Sequence, residues 1–516
     1  MIYRSPSPDV PVPDQSWPAY LETAVQPHLE RVAIDDPVGD RSVGYRDLFD
    51  AIRDVAAGLR SRGYGKGDVL GIYAGNSIEF VIAFQAVLRI GGTATTVNPM
   101  NLREELERQL RHAGACALFS TRACRDVALA AADACRLRAV FLLDEADGPL
   151  AFGALRESAG ERGIADIDPG GDLAVLPYSS GTTGLSKGVM LTHRNLVAHN
   201  VQLLALRDTS VPSAEDRVLM VLPLFHIFAM TVVMNLALSH GATIVLLPQF
   251  DPEGFLRTIQ ARRVTRMYLV PPIINFLAKH PLVAQFDLSS LNYILSGAAP
   301  LGVDLARAAA RRIGCPVVQG YGLTETSPVT HVFPERGERD DPGSIGVLVA
   351  NTEARIVDLE RGGDVSPGER GELWVRGPQV MRGYLENPEA TAASIDDEGW
   401  FHTGDVATAD PDGYFHIVDR AKELIKYKGY QVAPAELEAL LATHPAVADC
   451  AVVPEPDNDC GEIPKAFVVR REPLDEDALM AWVAERVAPY RRIRRVVFTD
   501  AIPKSPSGKI LRRLLR

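Results

Sequence analysis

Short apolar runs alternate with amphipathic stretches of helical length through most of the first 400 residues. The amphipathic stretches at 45–62 and 77–89 predict helices, and the apolar runs that follow at 69–73 and 93–97 predict buried strands. Alternation of this kind is typical of parallel sheets that are covered by helices. We therefore expect an α/β architecture over this part of the chain.

The pattern changes at about residue 340, where the glycine-punctuated runs ARIVD, GELWVRG and GYFHIV predict a small antiparallel or barrel-like sheet. From Asp419 onwards the chain is charged and predicts an α+β unit, with helices at 434–443 and 476–487 and strands at 446–453 and 466–470. We expect the domain boundary at 419–422. It divides the chain into a large domain of residues 1–419 and a small domain of residues 420–516.

Residues 218–238 are apolar enough to suggest a membrane span. Pro223, His226 and Asn235 interrupt this stretch, and turn-like residues at 239–241 precede a second apolar run. A buried strand, a turn, a helix and another buried strand fit the pattern better. We therefore expect no membrane span.

The composition is that of an ordinary globular protein, with 47% apolar and 23% charged residues among 516. The net charge of −12 argues against a nucleic-acid partner. The six cysteines are scattered without CxxC pairs, which is typical neither of a disulfide framework nor of a zinc site. Reduced thiols and a proline-rich N-terminus without a signal-peptide pattern favour a cytoplasmic protein.

Lysine is rare, since it supplies only nine of the 54 basic residues. Six of those nine lie in three short segments, at residue 187, at 422–428 and at 504–509. Where arginine is the default, such clustering indicates a need for a compact ammonium group rather than a planar guanidinium. Chance clustering on a solvated face is the alternative.

The segment YSSGTTGLSKGV, residues 178–189, combines glycines, hydroxyl side chains and one lysine directly after the apolar run 173–177. It predicts a loop around an anion, because glycines let backbone N–H groups converge while hydroxyls and Lys187 add donors and charge. A flexible Gly/Ser linker is the alternative on composition alone. Thr192 is a plausible N-cap for a helix at 194–206, and we expect the N-terminus of that helix near the loop.

Five further segments carry chemistry: SGAAPL (296–301), QGYGLTET (319–326), GWFHTGD (399–405), DRAKELIKYKGYQVAPAELE (419–438) and PKSPSGK (503–509). Together with the glycine loop, in this order and spacing, they resemble the adenylate-forming superfamily of acyl-CoA synthetases, luciferases and peptide-synthetase adenylation domains. The run ELIKYKGYQVAPAELE looks most like 4-coumarate:CoA ligases. The resemblance covers essentially the whole chain. It implies an α/β fold in which the large domain has two parallel-type α/β subdomains and a small β-barrel-like subdomain, followed by a small mobile α+β domain.

The resemblance implies a two-step reaction. A carboxylate attacks the α-phosphorus of ATP and releases pyrophosphate, and the acyl-adenylate then passes to the thiol of CoA. Glu325 is implied as the Mg²⁺ ligand, a role that suits a hard carboxylate oxygen. The residues implied for ATP are Ser179, Ser180, Gly181, Thr182, Thr183 and Lys187 for the β- and γ-phosphates, Gln319, Gly320 and Tyr321 for adenine, Thr324 for the α-phosphate, and Asp405 with Arg420 for the ribose.

Lys509 is the residue implied for the first step, where its ammonium would bridge the attacking carboxylate and the α-phosphate. Lys426 and Gln431 match positions near the α-phosphate and the acyl carbonyl. His226 matches a residue at the mouth of the acyl pocket, with a buried core histidine as the alternative.

The family rotates its small domain between the two steps, and Lys422 falls at the hinge position. This rotation would bring Lys428 and Gly429 to the tunnel for the pantetheine arm of CoA. A plain surface hairpin is the alternative for that turn. The lysine that contacts the CoA nucleotide in relatives is replaced here by Gln249.

The resemblance implies an acyl pocket with these residues in its wall: His226, Phe228, Val232, Ala298, Ala299, Pro328 and Val329. Phe228 and Val232 match positions that carry hydroxyl groups in plant 4-coumarate ligases. Because a site without a partner for a phenol discriminates weakly in its favour, we expect cinnamate, a substituted aryl acid or a medium-chain fatty acid. Thr326, Ser327 and His331 are polar residues that we expect to recognise a substituent.

Three functions remain open on the sequence. The first is an aryl- or acyl-CoA ligase that acts on a small-molecule acid. The second is an adenylating enzyme that delivers its intermediate to a carrier-protein thiol or to another nucleophile, such as nitrite activated for attack by an aryl amine. The third is a non-catalytic nucleotide-binding module. The sequence leaves a monomer and a homodimer equally open.

Overall fold

The computed structural model describes residues 1–148, 150–157, 160–179, 186–206, 211–334, 339–428, 430–457, 459–505 and 508–515. Within these ranges no helix combines the length and the apolar character that crossing a bilayer requires. The strands form four sheets. Two of these sheets have parallel centres, which confirms the predicted α/β class.

The first sheet has a parallel centre and antiparallel strands at one edge. Its parallel strands are Ala139–Leu142, Ala115–Ser120, Val69–Tyr73, Thr93–Val97 and Leu173–Val175, in that spatial order. The strand Lys187–Thr192 pairs antiparallel with Leu173–Val175, and it also pairs with the short strands Tyr178–Ser179 and Gly383–Tyr384. The glycine loop therefore connects two strands of a hairpin at this edge.

The second sheet has nine strands, which are Val347–Leu348, Val329–Val332, Val317–Gly322, Tyr293–Ser296, Arg266–Leu269, Arg217–Met220, Thr243–Leu246, Val32–Asp36 and Arg41–Gly44 in spatial order. The six strands from Val317–Gly322 to Val32–Asp36 pair in parallel. In open parallel sheets, ligands bind beyond the carboxyl ends of the strands. The segments SGAAPL and QGYGLTET follow or end two neighbouring strands at this edge.

The third sheet is antiparallel throughout, with the strands Tyr3–Arg4, Glu353–Val357, Gly371–Arg376, Phe401–Ala409 and Phe415–Arg420 in spatial order. The fourth sheet belongs to the C-terminal part, with the strands Tyr430–Val432, Ile425–Tyr427, Gly461–Arg470 and Val447–Asp457 and with Arg495–Phe498 parallel to Gly461–Arg470. The third sheet is the small antiparallel sheet that the glycine-punctuated runs predict. The fourth sheet belongs to the predicted α+β unit.

Helices cover the sheets and begin at recognisable signals. Ser77 accepts a hydrogen bond from the backbone of Phe80, and Thr192 forms a reciprocal cap with Asn195. The α-helices are Trp17–Val25, Tyr45–Ser61, Ile78–Arg89, Arg103–His112, Arg125–Cys135, Gly153–Arg156, His193–Leu204, Leu236–Ser239, Pro252–Arg262, Pro271–Lys279, Val303–Ile313, Pro388–Ala392, Pro434–Leu441 and Glu476–Ala484. A π-helix, Phe228–Asn235, runs directly into Leu236–Ser239.

The apolar stretch 218–238 forms a strand, a turn and a helix, as predicted. Its strand Arg217–Met220 is central in the second sheet, and its π-helix is buried throughout. The residues Pro223 and His226 lie in the turn between them. The stretch is therefore part of the core of the large domain.

The predicted position of one helix N-terminus is wrong. The helix His193–Leu204 begins at the expected cap, but the whole strand Lys187–Thr192 separates it from the glycine loop. A strand of six residues spans about 17 Å between its end residues. The dipole of this helix therefore cannot stabilise an anion in the loop, because such effects fade within the first turn.

Candidate active site

The carboxyl ends of the second sheet face a large cleft of about 2460 Å³. Residues from all six chemistry-bearing segments line it, including Lys187, Ala298, Tyr321, Asp405 and Lys509. The cleft therefore brings together side chains that lie more than three hundred residues apart in the chain.

Glu325 lines the cleft in a short 3-10 turn after the strand Val317–Gly322. The hydroxyl groups of Ser179 and Tyr384 each donate to its Oε1 at 2.9 Å. The ammonium of Lys187 lies 4.5 Å from the ring centre of Tyr384. A carboxylate, an ammonium and two hydroxyls thus meet at one point on the wall. The expected loop residues Ser180, Gly181, Thr182 and Thr183 lie outside the described residues.

A second, buried carboxylate that lines the cleft is that of Asp405. Asp405 is 5% exposed and accepts a hydrogen bond from the hydroxyl of Tyr321 at 2.6 Å. The Nε of Arg420 lies 3.3 Å from its Oδ1, because the two residues face each other on neighbouring strands. Burial raises the pKa of Asp405, and the positive charge of Arg420 opposes that rise. Burial alone would lower the pKa of Arg420, but the charge of Asp405 raises it overall.

The wall between these two groups comes from the strand Val317–Gly322 and the turn after it. Gln319 uses its side-chain amide to hold the backbone of Leu301 and Pro342, at 3.2 and 2.6 Å, so it acts as a brace for the SGAAPL segment. Gly320, Tyr321 and Thr324 line the cleft. A Cβ at Gly320 would lie 3.3 Å from the carbonyl oxygen of His331, so the strand pairing itself favours glycine there.

Lys509 enters the cleft from the C-terminal domain. Burial lowers the pKa of its ammonium to about 8, and the nearby Arg420 adds to the shift. The charge of Lys509 acts in turn on Asp405 and on His226. Burial, followed by that charge, lowers the pKa of His226 to about 4, so this imidazole is neutral at ordinary pH. Lys509 therefore lies between the Asp405 side and the His226 side of the cleft.

A tight loop carries Lys509. Its backbone N–H donates to the hydroxyl of Ser505 at 3.1 Å, and its carbonyl accepts from the N–H of Ser505 at 2.8 Å. Gly508 has a φ of +78°, and a Cβ there would lie 3.0 Å from Pro272 of the large domain. The loop therefore touches the first turn of the helix Pro271–Lys279, and glycine permits both the backbone conformation and the close approach.

The part of the cleft around Phe228 is apolar. A Cβ at Gly297 would lie 3.1 Å from the Cζ of Phe228, so this ring fills the space beside a residue without a side chain. The expected residues Val232, Ala299, Pro328 and Val329 also line the cleft, as does Ala298 with a φ of +68°. Leu203 and Leu236 continue the wall beyond Val232. Phe228, Val232 and Leu236, from the π-helix and the α-helix that follows it, all line the cleft.

The expectation that Thr326, Ser327 and His331 recognise a substituent is wrong. All three side chains are fully buried, and none of them lines the cleft. The Thr326 hydroxyl accepts from the N–H of Leu323 at 3.0 Å, and the Ser327 hydroxyl donates to the carbonyl of Gln379 at 2.8 Å. These polar side chains hold the turn rather than a substrate.

Several expected residues lie away from the cleft. Lys426 and Gln431 pair across an exposed hairpin of the C-terminal domain and do not line the cleft. Lys428 is exposed on the same hairpin, and Gly429 lies outside the described residues.

The hinge candidate Lys422, in contrast, lines the cleft, although its side chain is exposed.

Two residues of the site escaped the sequence analysis. Tyr384 contacts Glu325 and Lys187, but its segment GYLENP carries no sequence signal for such a role. Arg512 lines the cleft close to Lys509, is largely buried and binds two carboxylates, those of Glu423 and Glu438. The one sequence feature that could have pointed to Arg512 is its position three residues after Lys509, and the other arginines of this segment obscure it.

Two protein-family models match this chain. The family model described as AMP-binding enzyme matches residues 21–385, and the model described as AMP-binding enzyme C-terminal domain matches residues 436–509. Among curated proteins, the chain is 41% identical to 4-coumarate-CoA ligase 1 of Narcissus pseudonarcissus, over 100% of this chain and 96% of the relative.

Solved structures with the same fold include two that hold relevant ligands. ATP-bound MatB from Rhodopseudomonas palustris is 30% identical, with a TM-score of 0.88 over 97% of this chain and 98% of that one. The anthranilate CoA ligase AuaEII, in complex with anthranoyl-AMP, is 27% identical, with a TM-score of 0.89 over 98% of this chain and 97% of that one.

Proposed function

We propose that this chain, which belongs to the family of AMP-binding enzymes, uses the cleft around Lys509 to activate an apolar aryl or medium-chain carboxylic acid. It is an ATP-dependent, AMP-forming acid–CoA ligase that works through an acyl-adenylate. Its substrates are ATP, CoA and a small-molecule acid, and it uses Mg²⁺. The observation that carries the proposal is the position of Lys509, whose charge acts on both Asp405 and His226.

In the first step, the acid carboxylate attacks the α-phosphorus of ATP and pyrophosphate leaves. As the new P–O bond forms, the attacking carboxylate gives up its negative charge, and negative charge accumulates on the α-phosphate oxygens and on the departing pyrophosphate. The ammonium of Lys509 would stabilise that charge, in a cleft where burial strengthens electrostatic interactions. Asp405 would accept the two ribose hydroxyls, and Arg420 would hold this carboxylate in place.

Glu325 fits the role of the Mg²⁺ ligand. Its Oε1 accepts from two hydroxyls, and no group among the described residues donates to its Oε2. No group of three metal-ligating side chains occurs within the described ranges, which suits an ion that takes its other oxygens from phosphates and water. When bound, Mg²⁺ would neutralise phosphate charge, while Lys187 would hold the same phosphates from the protein side.

In the second step, the CoA thiol attacks the acyl carbonyl and AMP leaves. Lys426, Gln431 and Lys428 lie on an exposed hairpin away from the cleft, so they would act only after the C-terminal domain has rotated. Lys422 would serve as the hinge and Gly429 would line the path of the pantetheine arm. The exchange of Lys509 for this hairpin would divide the two half-reactions between two domain orientations.

The apolar wall supports an acid without a phenolic hydroxyl. Phe228 and Val232 offer no hydrogen-bond partner, and Leu203 and Leu236 extend the apolar surface beyond them. A buried phenol without a partner loses hydration without compensation. Cinnamate, other unsubstituted aryl acids and medium-chain fatty acids therefore fit this wall better than 4-hydroxycinnamate.

A panel of acids tests the proposal. Pyrophosphate release and thioester formation would be measured for cinnamate, 4-hydroxycinnamate, benzoate, octanoate and malonate, with and without CoA, in the native protein and in Lys509→Ala. We expect cinnamate or octanoate to give pyrophosphate and a CoA thioester, and 4-hydroxycinnamate to be no better than cinnamate. Pyrophosphate without a CoA thioester would identify another acceptor, and no pyrophosphate from any acid would overturn the proposal.

We further propose a compartment, a limit on partners and an oligomeric state for the protein. The protein is cytoplasmic, and it binds no nucleic acid. It acts as a monomer or a homodimer, which sedimentation or light scattering would distinguish.

A further inference from the structure

The guanidinium of Arg512 is buried within the C-terminal domain and makes four hydrogen bonds. Its Nε donates to the carbonyl of Val452 at 3.1 Å, and one Nη donates to Glu423 at 2.5 Å. The other Nη donates to both oxygens of Glu438, at 2.8 and 2.7 Å. The Arg512 side chain is only 10% exposed. One side chain thus joins the segment after the hinge, the helix Pro434–Leu441 and the strand Val447–Asp457.

These contacts are linked into one network. The Oε1 of Glu438 also accepts from the backbone N–H of Val452 at 2.8 Å. Asp419 lies nearby, and its Oδ2 accepts from the N–H of Ala435 at 2.8 Å. Burial raises the pKa of Glu438 to about 7 and that of Asp419 to about 6, and the charge of Arg512 opposes both rises. Removal of Arg512 would therefore leave buried carboxylates without their cation.

Lys509 depends on the loop that Arg512 fixes. The loop closes where the N–H of Leu511 donates to the carbonyl of Pro503 at 2.8 Å, one residue before Arg512. Within the part of the chain that the structure describes, no carboxylate lies within 4.0 Å of the Lys509 ammonium. No ion pair of its own therefore holds this ammonium in place, and its position follows from the position of the loop.

We propose that Arg512 is a positioning residue for the adenylation step: it anchors the loop of Lys509 to the C-terminal domain so that the ammonium reaches the reacting groups. This inference rests on the proposed function, because it assumes that Lys509 acts in the first half-reaction. Arg512 acts through the loop of Lys509, because its four hydrogen bonds all go to groups of the protein. Four donors aimed at three elements require the planar guanidinium, and the single ammonium of lysine cannot replace them.

The test compares Arg512→Lys with Arg486→Lys, a matched change at an exposed arginine of the C-terminal part that does not line the cleft. Pyrophosphate release with cinnamate or octanoate reports the first half-reaction, and CoA thioester formation from supplied acyl-adenylate reports the second. We expect Arg512→Lys to lower kcat for pyrophosphate release about a hundredfold, the loss typical of a displacement of about 1 Å in a catalytic group. Its KM for ATP and its rate in the second half-reaction should stay within about twofold of the native values, and Arg486→Lys should match the native protein in both half-reactions.

A second variant covers the case in which an unbalanced charge prevents folding. Arg512→Gln combined with Glu438→Gln removes one charge of each sign and leaves no lone buried carboxylate at position 438. It should keep the melting temperature and the second half-reaction while the first half-reaction stays slow. A parallel loss of both half-reactions in these variants would assign Arg512 to general stability and overturn the inference. Native rates of pyrophosphate release in both would overturn it as well, whereas an inactive native protein would count against the proposed function instead.

Discussion

At the scale of single residues, burial and neighbouring charges set the protonation states of Lys509 and His226 in the cleft. Lys509 has a pKa lowered to about 8 because burial penalises its charge and Arg420 repels it. His226 stays neutral because burial and Lys509 lower its pKa to about 4. If the acid binds as proposed, this neutral imidazole would not compete with Lys509 for the substrate carboxylate.

The pH dependence of the first half-reaction follows from Lys509. Its ammonium loses a proton as pH rises through about 8, and the neutral amine no longer stabilises phosphate charge. We expect kcat/KM for pyrophosphate release to be constant below that pH and to fall about tenfold per pH unit above it. Thioester formation from supplied acyl-adenylate should lack this falling limb.

Lys509→Arg provides the control for this assignment, since a guanidinium stays protonated throughout the range. Whatever its absolute rate, its profile for pyrophosphate release should be flat around pH 8. The same falling limb in Lys509→Arg would assign the titration to another group.

Phe228 is expected to set the response to a phenolic acid. Phe228→Tyr adds a hydroxyl to the apolar wall, and one hydrogen bond contributes about 1 kcal/mol. The ratio of kcat/KM for 4-hydroxycinnamate over cinnamate should rise about threefold to tenfold. Phe228→Leu, which removes the ring and adds no donor, should not raise it, and a fall in Phe228→Tyr would show that the acid binds elsewhere.

The sequence predicted which charged residues line the cleft better than it predicted which uncharged polar residues do so. Asp405, Glu325 and Lys509 line the cleft as expected because a charge is buried only where partners or ligands compensate it. Thr326 and Ser327 are polar but serve the backbone of their own turn. Nothing in the residue type distinguishes a hydroxyl that faces a ligand from one that faces a carbonyl.

At the scale of elements, the proposed first step depends on the geometry of the loop that carries Lys509. Gly508 combines a φ of +78° with a close approach to Pro272, so the loop and the first turn of Pro271–Lys279 fit together only with glycine. Lys504 also ties the loop to Asp449 through an ion pair of 2.6 Å, but both side chains are partly exposed. Such a pair contributes little.

Gly508→Ala should slow the first half-reaction selectively. The left-handed backbone costs about 1–2 kcal/mol for an alanine, and the added Cβ would press on Pro272. We expect pyrophosphate release to fall at least tenfold while thioester formation from supplied acyl-adenylate is unchanged, because the contact belongs to this domain orientation. Gly65→Ala, where a Cβ would meet nothing within 4 Å, is the control. Equal rates in the two variants would contradict the role given to the loop.

Elements with strong periodicity and caps were predictable from the sequence. The helices at Tyr45–Ser61 and Ile78–Arg89 and the strands after them lie within one or two residues of their expected bounds. The error at the helix His193–Leu204 has a different origin. Its start was correct, but the hairpin that separates it from the glycine loop depends on strand pairing, which local patterns do not reveal.

At the scale of the whole molecule, the buried apolar side chains of the described residues form one extensive core from Trp17 to Phe415 and a separate C-terminal core from Ile425 to Val496. A further cluster, from Tyr73 to Leu142, belongs to the N-terminal part of the chain. A small cluster of Val406, Val418, Leu424 and Ala433 lies at the expected boundary between the two cores. Few buried groups would therefore have to separate if the smaller core moved.

Scattered polar contacts hold the two parts in the present orientation. Arg370 pairs with Glu436 at 2.8 Å, and Lys279 donates to the carbonyl of Ala442 at 3.2 Å. Contacts of this kind are weak at an exposed interface. They fit a domain that changes position between two steps, and sequence motifs give no information about which position is adopted.

The most direct test of the account measures the two half-reactions separately in Lys509→Ala and in Gly429→Trp. Lys509→Ala should lose about a hundredfold to a thousandfold in pyrophosphate release and keep thioester formation from supplied acyl-adenylate. Gly429→Trp should show the reverse, because a bulky side chain would block the path of the pantetheine arm. Equal losses of both half-reactions in Lys509→Ala would contradict the assignment of that lysine to the first step alone.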